Sequence, residues 1–320
     1  MRPLGPRESD AILGAMRQVA LAGGRPLSHA DTASIVAAGH WLLRRGERFD
    51  ISDLPGIDPA GLVAALKGEP TLGQEAVKYL AVMALVDGVL DHDKLRRVLE
   101  YARALDVEAD YLTELVEAAS GHMAWVVADM TRKNFDSVIS HSSQGLDPVA
   151  WITPYAGDKA DPALVARYEA LDKLPDNSFG KALWRFDKDN GYTFPGDPKA
   201  LNASFATPHD STPVISGYDT SYRGEILVST FTAGMHPINP MAGHILPVIF
   251  NGHLGVKFND VATPAQGGLD PDEFWHAWAR GQEMTVDLFD PGWDVWQWVE
   301  HDLEDLRRDW KVTPPGHPAT

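Results

Sequence analysis

His209 and Asp210 are adjacent, and Glu225 lies fifteen residues beyond Asp210. An imidazole and two carboxylates form a mixed nitrogen and oxygen donor set suited to zinc, manganese or magnesium. If the site is catalytic, such a metal would act as a Lewis acid, and Asp210 or Glu225 could shuttle a proton. Another reading needs no ligand at all. A buried His-Asp-Glu hydrogen-bond cluster would pin two chain segments together.

The residues between these groups decide how they meet. Gly217 is a natural helix end, and Asp219 or Thr220 can cap a second helix from Ser221 to about Thr232. The resulting αα-hairpin folds Glu225 back towards His209 and Asp210. Pro213 complicates the first arm. In a helix interior its ring would clash with the carbonyl of His209, and it biases Thr212 away from helical geometry. The expectation is a helix that starts near Pro213, with His209 and Asp210 in the entering loop. Amides at that helix start favour an anion over a cation. The pocket is therefore open to a weakly held metal, to a metal completed by water or a donated ligand, or to an anionic head group alone. His236, His244 and His253 follow, and each could supply a further ligand; a hydrogen-bonded histidine at a turn or on a helix is their ordinary role. Met241 to Gly255 is apolar and interrupted by Ala242, Gly243, Gly252 and Gly255. Such a helix packs closely on its neighbours or lines a channel for a long apolar ligand. Gly252 and Gly255 are the positions at which room for that ligand is expected.

The elements around the site read as helices, so the expected fold class is all-α. Apolar residues recur at three-and-four spacing in Ala11 to Ala22 and in Ala33 to Leu43. Gln74 to Val86 is apolar enough for a central core helix. Asp91 is placed to cap a helix from Lys94 to Leu105, and Tyr111 to Ala128 reads as another. Ala163 to Leu171 is helical in pattern. A further helix is capped by Asp176 or Ser178 and ended by Asn190 and Gly191. The stretch 141–162 is rich in Ser, Gly, Pro and Asp and reads as a connector. The expected organisation is a helical domain over 1–140, a linker over 141–162, a second helical domain over 163–312 and a tail over 313–320.

Composition narrows the partners. The 320 residues carry a formal net charge of -17 with a pI near 5.0 and no Lys/Arg run, which argues against nucleic acid. There is no cysteine, so thiolate ligands and cysteine nucleophiles are excluded and a cytoplasmic setting is expected. No signal segment is visible, and the longest apolar run, near Ile245 to Phe250, is too short to span a bilayer. Trp275, Trp278, Trp293, Trp296, Trp298 and Trp310 crowd the C-terminal part. Indoles of this kind serve cores, contacts within a homo-oligomer, or a peripheral membrane surface; no basic face accompanies them.

Two resemblances add to this reading. The run Ala84 to Val107 (ALVDGVLDHDKLRRVLEYARALDV) resembles the TerB-like helical domain, over roughly Gln74 to Met130. That resemblance implies Asp87, Asp91 and Asp93 as cation ligands. On their own physics, three carboxylates in a turn without a closing ligand cap a helix and face solvent. The second half resembles the Coq4 family of ubiquinone-biosynthesis proteins. The family signature is H-D-x-x-H followed after eleven residues by E, and here His209, Asp210 and Glu225 fit while Pro213 replaces the second histidine. Leu-Pro-Asp-x-x-Phe-Gly at 174–180 and Ala277, Trp278, Arg280 and Gly281 of an A-W-x-R-G block also match, in the family order. The resemblance implies a divalent metal at His209, Asp210 and Glu225, weak or absent because of Pro213. It also implies a prenylated quinone precursor or similar long apolar ligand, and contact with other quinone-biosynthesis proteins. As an enzyme the protein would be a metal-dependent lyase or oxidative decarboxylase acting at ring C1, with Asp210 and Glu225 catalytic. The alternative is a non-catalytic lipid-binding or scaffold protein that has lost the metal.

Overall fold

A computed structural model of the chain describes residues 4–45, 49–139, 159–258 and 264–316. Among the described residues it is all-α, with 14 α-helices, 64% helical and no strand. The expected connector over 141–162 lies almost wholly outside the described residues.

The chain divides into two compact units, and the division is not sequential. The first unit takes the described residues of Met1–Thr131 together with Ile245–Ala279. The second takes those of Arg132–His244 and Arg280–His317. The stretch Ile245–Ala279, grouped by sequence with the second half, thus packs in the first unit.

The first unit is built on α1 (Pro6–Ala20), α2 (His29–Trp41), α3 (Pro59–Ala65), α4 (Pro70–Met83) and α5 (His92–Ala104). Helix α1 touches each of the other four. Helix α4 is the core helix its apolar run predicts, buried without interruption from Tyr79 to Met83. Asp91 caps α5 as expected, its carboxylate accepting from the amides of Asp93 and Lys94. The helix expected over Tyr111 to Ala128 is instead two, α6 (Asp110–Ala119) and α7 (Met123–Ile139). Gly121 sits between them at φ +87°, a left-handed residue that ends a helix. Helix α12 (Leu246–Gly252) and the first turns of α13 (Pro271–Glu283) complete this unit. Trp275 and Trp278 stack in its core, and the Trp275 indole donates to Ser34 Oγ at 2.8 Å.

The second unit contains α8 (Pro162–Glu169), α9 (Phe179–Asp189), α10 (Ala203–Ser216), α11 (Tyr222–Met235) and α14 (Leu303–Asp309). Ser178 caps α9, and Asn190 with Gly191 ends it, as the sequence predicts. Phe179, Leu183, Ile215, Phe231, Leu288 and Leu306 share one apolar core with Trp310. Met241 to Gly255 is not one helix. Pro240–Ile245 is a π-helical turn, and α12 follows it.

Among the described residues no helix is long and apolar enough to cross a membrane.

Candidate functional site

The hairpin of α10 and α11 forms, but its first arm starts earlier than Pro213 dictates. Helix α10 runs through both Pro208 and Pro213, so His209 and Asp210 lie within a helix and not in an entering loop. A proline in a helix interior costs about 3 kcal/mol or more. Three features offset that cost. Asn202 caps the start, accepting from the Ser204 amide at 3.0 Å. Ser211 to Ser216 are buried without interruption. The far end is clamped by two guanidinium groups.

That clamp answers the orphan carbonyls every helix leaves at its C-terminus. Arg307 donates to the carbonyls of Val214 and Ile215 at 2.7 and 3.0 Å. Arg280, only 2% exposed, donates to Ser216 at 2.7 Å and ties it to the carbonyl of Thr313. Gly217 then closes the helix at φ +79°, its amide bonded to the Pro213 carbonyl at 2.8 Å. Ser221, not Asp219 or Thr220, caps α11, accepting from Gly224 at 3.1 Å. Only glycine fits at 224, because a Cβ there would lie 2.1 Å from the Asp219 carbonyl oxygen. The turn is therefore tightly folded, and Glu225 stands in the first turn of α11.

His209 and Asp210 are in direct contact, Nδ1–H donating to Oδ1 at 2.9 Å. The His209 ring stacks on Phe205, one turn back, at 5.4 Å. Burial works to lower the imidazole's pKa. The hydrogen bond and charge of Asp210, with the charge of Glu225, overcome this and hold it above its usual value. Glu225 is pushed up by burial, pulled back by His209, and pushed up again by Asp210 and Asp219. The hairpin thus brings the three predicted residues into one electrostatic neighbourhood.

A fourth residue joins them that sequence reasoning missed. Asp187, on α9, is 2% exposed, and its Oδ1 has no hydrogen-bond partner among the described residues. Burial first, then the charge of Asp210, pushes its carboxyl up to about 8, against the pull of Lys188. Tyr192 reports the same convergence. Its hydroxyl is pushed up first by burial and then by Glu225, Asp210 and Asp187. One signal for Asp187 was present in the sequence. It follows Phe179 and Leu183 at four-residue steps along the apolar stripe of α9, where a carboxylate has no ordinary reason to be.

The other histidines are engaged in structural bonds. His236 faces acceptors with both ring nitrogens, Asp287 Oδ2 and the Ser137 carbonyl, each at 2.8 Å. His244 donates from Nε2 to Ser137 Oγ at 3.0 Å, since that hydroxyl itself donates to the Asn134 carbonyl. Burial, then the charges of His236 and His209, drives His244 down to about 3, so its ring is neutral. His253 belongs to the first unit. It donates to the Val86 carbonyl and accepts from the Leu269 amide.

Gly252 and Gly255 also lie in the first unit, apart from the chain segments of the His209 site. Gly252 is buried at the end of α12, and Gly255 takes φ +75° in the turn that pairs Leu254 with Gln266. The acidic turn of the first unit is filled by the chain's own cation. Lys94 Nζ lies 2.8 Å from Asp31 and 2.7 Å from Asp87, while Asp91 caps α5 and pairs with Arg25.

A resident metal needs three or four donors at about 2.0–2.2 Å from one point. Among the described residues, no three His, Asp or Glu side chains are so gathered. His209 spends its Nδ1 on Asp210, and Pro213 offers no donor. The residues as placed do not fit a metal centre. What they form is a cluster of three carboxyls and an imidazole.

No family model matches the chain, and no curated protein matches it. The TerB resemblance gains no support from these comparisons. Among solved structures, a protein of Nostoc punctiforme PCC 73102 assigned to ubiquinone biosynthesis is similar at 16% identity and a TM-score of 0.31, over 77% of this chain and 98% of that one.

Proposed function

We propose that the His209 pocket receives the polar head of a long apolar molecule, of the prenylated quinone-precursor class, and exchanges a proton with it. The observation that carries this reading is the buried Asp187 carboxyl, one oxygen of which has no hydrogen-bond partner among the described residues. Buried polar groups are almost always paired. A carboxyl kept neutral by burial is suited to donate a hydrogen bond to an oxygen of a ligand. His209 and Glu225, whose pKa values are both raised, are suited to take up and return a proton. The apolar tail is supported by the sequence resemblance at His209, Asp210 and Glu225, not by the geometry. No step in this reading passes through a metal.

A second reading keeps the binding and drops the chemistry. Pro213, which stands where the family signature has its second histidine, favours it. Extraction of the purified full-length protein, with the lipid identified by mass, tests both. A prenylated aromatic lipid in the parent, depleted in Asp187→Leu and Glu225→Gln, supports the pocket. Conversion of that lipid's head group by the parent but not by Glu225→Gln supports chemistry as well. Absence of any such lipid, or equal loading of parent and variants, overturns the assignment.

A further inference from the structure

Arg280 is buried, and among the described residues no carboxylate pairs with it. Its guanidinium is spent on backbone carbonyls. Nε donates to Thr313 at 2.8 Å, and one Nη group reaches both Thr313 and Ser216. The rings of Tyr218 and Phe231 lie against it, at 4.9 and 5.4 Å. A buried charge without a counter-ion is a costly way to close a helix. Gly217 already closes α10 with its own left-handed turn. Stability alone therefore does not account for the arginine. Its planar fork does what a glycine cannot, which is to fasten two segments distant in the chain, at Ser216 and Thr313, to one point.

Helix α10 needs such a hold. Pro208 and Pro213 lie inside it and have no N–H, so two rungs of its own hydrogen-bond ladder are missing. His209 and Asp210 stand between those two prolines, where the ladder is weakest. The start of the helix is capped by Asn202, and its end is held from outside by Arg280 and Arg307. Helix α10 packs on both α9 and α11. Where its end is fixed therefore decides how His209 and Asp210 are presented to those two helices.

We infer that Arg280 is a positioning residue of the His209 site: it fixes the end of α10 so that His209 and Asp210 keep their place against α9, which carries Asp187, and α11, which carries Glu225. The inference rests on the function proposed for that pocket.

The test uses the full-length protein with ¹³C-labelled histidine, the His209 ring signal being assigned by its loss in His209→Gln. Glu225→Gln removes a charge that acts on this ring, and so marks where the signal goes when that neighbour is lost. Arg280→Lys keeps the charge but cannot reach Ser216 and Thr313 together. At equal pH it is expected to move the His209 signal towards its place in Glu225→Gln. Leu171→Ala, in the core of the same unit and on none of the three helices, is the control for stability. It should lower the urea midpoint by as much or more and leave the ring signal in place. Pro213→Ala returns an N–H to the His209 carbonyl, so that the helix holds itself. In that background Arg280→Lys should move the signal much less, the two positions being coupled. Should Arg280→Lys not fold, Arg307→Lys loosens the same helix end and reads the same signal. A His209 signal that the lysine substitution leaves unmoved overturns the inference. So does an equal movement in Leu171→Ala, or an undiminished one in the Pro213→Ala background. No ligand enters these measurements, so their outcome is separate from that of the lipid assignment.

Discussion

Each unit of this protein gathers a cluster of charged side chains, and the two clusters are resolved in opposite ways. In the first unit, Lys94 is enclosed between Asp31 and Asp87, and Lys94 and Asp31 are each 2% exposed at the side chain. The remaining oxygen of Asp31 accepts from the Ser28 amide and hydroxyl. Opposite charges meet, and the hydrogen bonds are used. In the second unit, Asp210 contacts the His209 imidazole, and burial together with the charge of Asp210 raises the pKa of both Asp187 and Glu225. One carboxyl oxygen is left with no partner. A cluster that is complete has a structural role. One that is incomplete persists against its own repulsion because the surrounding fold over-determines it. That contrast is the reason the proposed function is assigned to the second unit.

The largest effect is expected from opening the complete cluster. Lys94→Met leaves Asp31 buried without its counter-ion. Removing one partner of a buried pair typically costs about 3–5 kcal/mol, so the midpoint in a urea titration should fall accordingly, with little change in any ligand readout of the second unit. A loss well under 1 kcal/mol would mean that water reaches Asp31 and that the two clusters are alike after all.

Relieving the incomplete cluster should do the reverse. A carboxyl raised in the folded state binds a proton that the unfolded chain has released. Stability therefore falls as pH rises from the unfolded value near 4 to the folded value of about 8. His209, also raised, contributes stability below its unfolded pKa and loses it as pH rises through the folded one, so both slopes have the same sign. Asp187→Asn keeps the shape and cannot ionise. It should flatten the decline between pH 5 and 9 and leave the variant more stable than the parent at pH 9, by roughly 1–3 kcal/mol. Urea titrations at three pH values measure this. Parallel curves for parent and variant would show that Asp187 does not titrate in the folded protein.

The helical class was readable because periodicity is local, and so were the caps at Asp91 and Ser178. His209, Asp210 and Glu225 were singled out by their spacing and by the family resemblance, and they lie on the two arms of one hairpin. Asp187 was not, since nothing within its own helix announces a partner on α10. The course of α10 through Pro213 was also hidden. The rule that proline breaks a helix weighs only the local backbone, whereas Arg280 and Arg307 reach the end of that helix from 64 and 92 residues away. The return of Ile245–Ala279 to the first unit is hidden for the same reason. Trp275 and Trp278 read as part of one C-terminal indole cluster with Trp293 to Trp310, yet they pack against Tyr79.

Restoring a donor to the incomplete cluster gives the smallest and most discriminating effect. Because α10 is continuous, position 213 lies one turn beyond His209 on the same helical face. Pro213→His would place a second imidazole there and return a helical N–H to the His209 carbonyl. We expect zinc and manganese to bind the parent weakly and the variant at least about tenfold more tightly, a gain near 1.4 kcal/mol, by calorimetric titration. Helix stability should rise in the same variant, since a proline interior to a helix is costly. The two readouts separate two explanations of the parent. A stability gain without a metal gain would mean that Glu225 stands too far from α10 to close a coordination shell, leaving proton transfer as the chemistry of the site. Tight stoichiometric binding by the parent, unchanged in the variant, would mean that another residue already completes the shell, and the contrast between the two clusters would then rest on a metal-filled site and not on an unfilled one.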